Sequence, residues 1–281
     1  MQSVLYYDTT IIAGIPVAFP VSGVVNLGIG AIGTFGSNIS ISPDSTVYVR
    51  AFAVNNSSQD TTYGNELVFT SPNSLFTAGT GVADIDGNIY TSVIVGNQEW
   101  MVENLKTTRY ANGDLIPNIT DGTLWTNQTA GAWSHYDNDP ANENPYGKLY
   151  NWYAVDDVRN VCPTGWHVPT TAEWLQLTDT TCGGIYIAGP KMRSLSNWDA
   201  GVTATNESGF SAEPSGYRDG SLFNGLVSIL GFAQHADWWS ATVDSLNPSL
   251  SEYQQTLGDE DSCETHLMNQ NVGLAIRCIK N

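Results

Sequence analysis

The stretch Val161–Thr180, VCPTGWHVPTTAEWLQLTDT, constrains the fold more than any other part of the chain. Cys162-Pro163-Thr164-Gly165 is a tight turn, because proline presets φ and glycine accepts conformations closed to other residues. Trp166, Val168 and Pro169 then carry the chain through a short apolar segment. Thr170 and Glu173 have the spacing of a capping box, in which the hydroxyl accepts a helical N–H and the carboxylate reaches back to the cap N–H. Trp174 and Leu177 lie three apart on the helix that should follow, so they share one face. A turn, a cysteine, a tryptophan and a capped helix this close together read as the hub of a core.

Several further segments accompany it in a fixed order: DIDGNIYTSVIVGNQEWMVENLKTTRY (84–110), NPYGKLYNWYAV (144–155), DWWSAT (237–242) and GLAIRCIK (273–280). Together with the hub they resemble the Fibrobacter succinogenes major paralogous domain, common in surface proteins of the Bacteroidetes and their relatives, over about residues 82–281. The resemblance implies a fold similar to C-type lectins and to formylglycine-generating enzymes. It implies no settled activity. In lectin-like folds the terminal strand returns beside the first helices, so the resemblance also implies a Cys162–Cys278 disulfide. Nesting then leaves Cys182 with Cys263 as an inner pair.

Two domains are expected. All nine Trp and all four Cys follow residue 99, whereas residues 1–75 carry a single basic residue, Arg50. In that first part VLYY, Ile11–Val25, STVYVRAFAVNN and NELVFTS read as strands. Val47, Val49, Ala51 and Ala53 alternate with Tyr48, Arg50, Phe52 and Val54 at the period of a sheet. The pattern is similar to the last strands of a fibronectin type III-like sandwich, here truncated or completed by a partner. Residues 76–81, within Ser71–Gly81, are expected to be linker, being rich in small and turn-forming residues. The fold class expected for 82–281 is α+β and C-type-lectin-like, with two helices and several short antiparallel strands. Asp86-Gly87 is a hairpin signal, and Asn144-Pro145 reads as an N-cap with proline at the first helical position. Tyr146, Leu149, Tyr150 and Tyr153 then follow at helical spacing. Gly113–Asp139 reads as loop pinned by Trp125 and Trp133.

The formal net charge of −18 disfavours nucleic acid. No apolar run approaches the about 18–20 residues of a membrane span. Gly28–Gly33 matches G-x-G-x-x-G by letters, but strand and turn residues follow where a dinucleotide site needs a helix. Asp84, Asp86 and Asn88 have alternating oxygen ligands, though the same letters make a turn. Asp137, Asp139, Asn142 and Glu143, with Asn138 and Asn144 among them, are the better calcium candidate, a solvated acidic loop being the plainer reading. No other cofactor is expected. The four histidines are scattered, no nucleophile elbow is present, and no second cysteine lies close to Cys278 as a formylglycine-generating site requires, so the chain is not expected to be an enzyme. Arg277 is expected to meet a carboxylate.

Trp238 and Trp239 are adjacent, so on a strand they face opposite ways, one to the core and one to a ligand. Around them His235, Asp237, Tyr253, Gln255, Asn269, Gln270 and Asn271 combine aromatic contact area with adaptable hydrogen bonds. The function expected is a binding or adhesion module displaying this face on a cell surface or phage particle, toward a receptor, glycan or protein. The alternatives are a structural or decoration subunit of an extracellular or virion assembly and, third, an oxidase-type enzyme. An extracellular or virion location and a homo-oligomer or larger assembly go with the first two.

Overall fold

The computed structural model describes residues 2–8, 23–26, 46–54, 61–70, 76–226 and 234–281. The chain divides into two units, Met1–Ser74 and Leu75–Asn281. In the first, Gly23–Asn26, Gln2–Asp8, Thr46–Val54 and Thr61–Thr70 form one antiparallel sheet in that spatial order. The alternation through Val47–Val54 is a strand as read, with a register shift between Arg50 and Phe52 against its partner. A second sheet, which a sandwich needs, is not among the described residues. Residues 11–22 and the Gly28–Gly33 motif lie outside them.

The second unit mixes short helices with mostly short antiparallel strands and has no barrel among its described residues. Its largest sheet runs Trp166–His167, Ile279–Lys280, Gln98–Met101, Ser92–Val95, Phe76–Ala78. The expected linker is therefore partly strand: Phe76–Ala78 pairs antiparallel with Val93–Val95. The small-residue composition misled because Phe76 packs over a glycine, Gly209, where a Cβ would stand 2.6 Å from its ring. The chain's end closes this sheet, with Ile279 between His167 and Trp100.

The hub forms as its letters require. Thr170 and Glu173 make both halves of the capping box, the helix Thr171–Leu175 follows, and π-helical Gln176–Thr181 extends it. Trp174 and Leu177 are both buried. Asn144, by contrast, is no cap. Its backbone is extended (φ −112°, ψ 121°), and Leu149–Tyr150 is a strand paired with Trp133–Ser134, so the tyrosines do not share a helix. Five short helices, not two, occur among the described residues. Trp125 and Trp133 do pin the loop, through indole N–H donors to the Asn271 and Ile116 carbonyls at 2.7 and 2.9 Å.

The strand His235–Val243 runs between two aromatic clusters. Ala236 and Trp238 point into one with Trp100, Trp174 and Phe210; Trp239 points into the other with Tyr90, Tyr110, Trp133 and Trp166. Ring centroids of Trp174 and Trp238 lie 5.7 Å apart and those of Phe210 and Trp238 5.5 Å, edge to face. Both faces of this strand are thus walled at Trp238 and Trp239, which corrects the expectation of one exposed tryptophan.

Cys162 and Cys278 form a disulfide with Cα atoms 6.0 Å apart. The inner pair does not form: Cys182 and Cys263 are free and buried. Arg277 also departs from expectation. Its guanidinium donates to Asn104 Oδ1 and to the Phe210 and Ser211 carbonyls, and stacks 4.2 Å over the Phe210 ring. No carboxylate is among these partners; backbone carbonyls and an aromatic face supply the acceptors that full burial demands.

Candidate functional site

Four of the residues expected at the ligand face converge at one end of the sheet His235–Val243, Leu250–Leu257, Glu264–Asn269. His235 and Asp237 stand two apart on the first strand, so they share a face. Across the ladder Asp237 sits opposite Gln255, and Tyr253 opposite both Trp239 and His266. The Asp237 carboxylate is fully buried, with His235 Nδ1 2.5 Å from Oδ2 and Gln255 Nε2 donating to Oδ1 at 2.7 Å. Burial would push the His235 imidazole toward its neutral form, but the Asp237 charge and hydrogen bond outweigh it and raise its pKa above 6.5.

Tyr217, which sequence reading missed, completes the group by stacking on the His235 ring with centroids 5.4 Å apart. It lies on a hairpin, Tyr217–Asp219 paired with Leu222–Asn224, whose two-residue turn is Gly220-Ser221. Glycine followed by serine between two short strands is a hairpin signal and could have found it. Gly225, at φ +88°, lets the hairpin close on the histidine: a Cβ there would lie 2.2 Å from the imidazole. Tyr253 is buried while its neighbour His266, 5.7 Å away by ring centroids, is exposed. Burial first, then Asp237, pushes both phenols away from ionisation, so neither is an activated nucleophile. The cluster offers stacking surface, phenol, amide and an imidazole oriented by a buried carboxylate.

The other expected residues are elsewhere. Trp238 and Trp239 are core. Gln270 donates to the Pro248 carbonyl and Ser251 Oγ, and Asn271 to the Thr126 carbonyl, so both brace loops. Asn269 is exposed at the strand's end, opposite Leu250.

The calcium candidates do not converge. Asp139 caps Ala141 N, Asn142 donates to the Tyr136 carbonyl, and Glu143 is shared by His135 Nε2 at 2.9 Å and the buried Lys148 ammonium. Asp137 is left in a left-handed turn, φ 53°. Asp84 is spent on its turn, accepting from Asp86 N, Asn88 N and Tyr90 Oη. Among the described residues no three His, Cys, Asp or Glu side chains gather as a metal site, and no helix is long and apolar enough to cross a membrane.

The family model described as the Fibrobacter succinogenes major domain matches residues 93–280. No curated protein and no solved structure matches the chain.

Proposed function

The chain belongs to the Fibrobacter succinogenes major domain family, and from that premise we propose that it is a non-enzymatic binding module whose ligand face is the Tyr217–His235–Asp237–Gln255 cluster. The observation that carries this reading is the half-buried Tyr217 stacked on His235 above a fully buried carboxylate. A rigid aromatic platform with adjoining amide and imidazole groups suits a hydroxyl-rich glycan or a polar protein surface.

We further infer a C-type-lectin-like fold for the second unit. Support comes from the terminal strand lying between the Trp166–His167 and Gln98–Met101 strands, with Cys278 tied to the hub at Cys162. An oxidase of the related fold is disfavoured by the cysteines: Cys278 is bridged, and burial pushes the Cys182 and Cys263 thiols up to about 11 and about 12. The bridge favours a destination outside a reducing cytoplasm.

Screening the full chain on glycan and surface-protein arrays, then repeating with Tyr217→Ala and Gln255→Ala, tests the assignment. A ligand lost in both variants, at unchanged thermal stability, supports it. Retention of every ligand by both variants would move the site elsewhere.

A further inference from the structure

A second surface, distinct from that face, has the makings of a docking site. Cys182 ends the hub's helical extension and is followed by Gly183 and Gly184, at φ +88° and +135°, then Ile185-Tyr186-Ile187. Only glycine takes such angles readily, so the pair turns the chain outward. Tyr186 and Ile187 are left 72% and 49% exposed.

This loop is anchored, not loose. Ile187 N donates to the Gly184 carbonyl at 3.0 Å, Cys263 N to Ile185 at 2.7 Å, and Gly189 N to Asp261 at 2.8 Å. The last two bonds clamp it along Asp261–Cys263. The approach depends on Gly189, since a Cβ there would stand 2.8 Å from the Asp261 and Ser262 carbonyl oxygens. An aromatic and an aliphatic side chain held out on a fixed backbone pay little ordering entropy on binding.

Asp259, Glu260 and Asp261, all exposed, sit on the clamping segment. Among the described residues none of the three has an ion-pair partner, because the nearby cations are turned inward. Arg193 is buried and gives its guanidinium to the Thr203, Leu257 and Glu260 carbonyls; Lys191 gives its ammonium to the Cys182 carbonyl at 2.8 Å. The result is an apolar knob bordered by three exposed carboxylates, of which Asp259 and Asp261 feel the buried Arg193 charge without forming an ion pair with it.

We propose that Tyr186 and Ile187, with Asp259, Glu260 and Asp261, form a docking surface for a basic protein partner that offers an apolar recess rimmed by Lys or Arg. Charge complementarity chooses this occupant. A second copy would bring a net charge of −18 against a surface already acidic, and like charges across an interface repel. Anionic lipid is excluded on the same ground.

The test uses the full chain and two helical peptides of equal length, one of leucine and lysine and one of leucine and glutamate. The variants are Tyr186→Ser with Ile187→Ser, the triple change Asp259→Asn, Glu260→Gln, Asp261→Asn, and Tyr186→Phe. All alter exposed side chains, and thermal melts confirm folding. The lysine peptide should bind in a salt-dependent way, weaken at least about fivefold in the first two variants, and bind Tyr186→Phe like the parent. Equal binding of the glutamate peptide would overturn the proposal. So would no binding at low salt, or loss in the carboxylate variant alone, which would mean charge attraction without the knob. Self-association abolished by Tyr186→Ser would assign the surface to a second copy instead.

Discussion

Trp238 and Trp239 are neighbours in sequence yet belong to different cores, each fully buried, with the backbone of one strand as the wall between them. Their indoles donate in opposite directions, Trp238 to Asn104 Oδ1 at 2.9 Å and Trp239 to the Tyr150 carbonyl at 2.7 Å. Neither ring is available to a ligand; both hold the sheet that presents the candidate site.

Replacing either tryptophan by alanine should therefore cost stability, by about 3–5 kcal/mol each, from lost burial and the cavity left behind. Denaturant unfolding of the two variants measures it. A loss under about 1 kcal/mol for one of them would mean that its side of the strand is not core.

The Cys162–Cys278 bridge spans 116 residues of sequence, and closing such a loop in the unfolded chain contributes about 4–5 kcal/mol on the entropy model. Cys162→Ser with Cys278→Ser should lower the unfolding midpoint accordingly. Thiol titration gives a separate count. The native, unreduced protein should show none, because Cys182 and Cys263 are buried with their thiols held protonated. Denaturation without reductant should expose those two, and reduction all four. Four thiols in unreduced material from an oxidising compartment would contradict the bridge.

What the sequence made legible was local or motif-bound. The capping box at Thr170 and Glu173 needs only residues three apart, and the return of Cys278 to Cys162 came with the family resemblance. The candidate site was half legible. His235, Asp237, Tyr253 and Gln255 lie on two strands whose pairing follows from their proximity in sequence. Tyr217 comes from a separate hairpin, brought in by Gly216 N donating to the His235 carbonyl and by Arg218 pairing with Gly273. The exposure of one of Trp238 and Trp239 was misjudged because strand alternation tells which way a side chain points, not what covers it. Arg277 was misread because a guanidinium can be satisfied by carbonyls and rings that no sequence pattern marks.

Glu99 should make the second unit sensitive to acid. Burial alone would raise its pKa, but hydrogen bonds from Lys280, Ser92 and Thr80 outweigh that and bring it down from 4.5 to about 2. A carboxylate lowered in the folded state contributes stability above its unfolded pKa and loses it as pH falls through the folded one. Unfolding free energy should thus decline between pH 4.5 and about 2, and Glu99→Gln should flatten part of that decline. The same carboxylate ties Thr80, beside the first strand of the unit, to Lys280 near its end. An unchanged acid limb in Glu99→Gln would show that this tie carries little.

His235 should respond in the opposite sense. Its imidazole faces the buried Asp237 carboxylate, which Gln255 also holds, and the stacked Tyr217 phenol. Burial disfavours the imidazolium, yet Asp237 raises the pKa above 6.5. A histidine raised in the folded state contributes stability that is complete below the unfolded pKa and lost as pH rises through the folded value. Stability should accordingly fall on the alkaline side of pH 6.5, and the site should lose its charged imidazolium over that same window. Proton resonances of the His235 ring followed against pH report the midpoint directly. Asp237→Asn should lower that midpoint while Gln255→Ala, which leaves the charge in place, should move it less. A His235 midpoint at or below 6.5 in the parent protein would mean that burial, not Asp237, governs the pair.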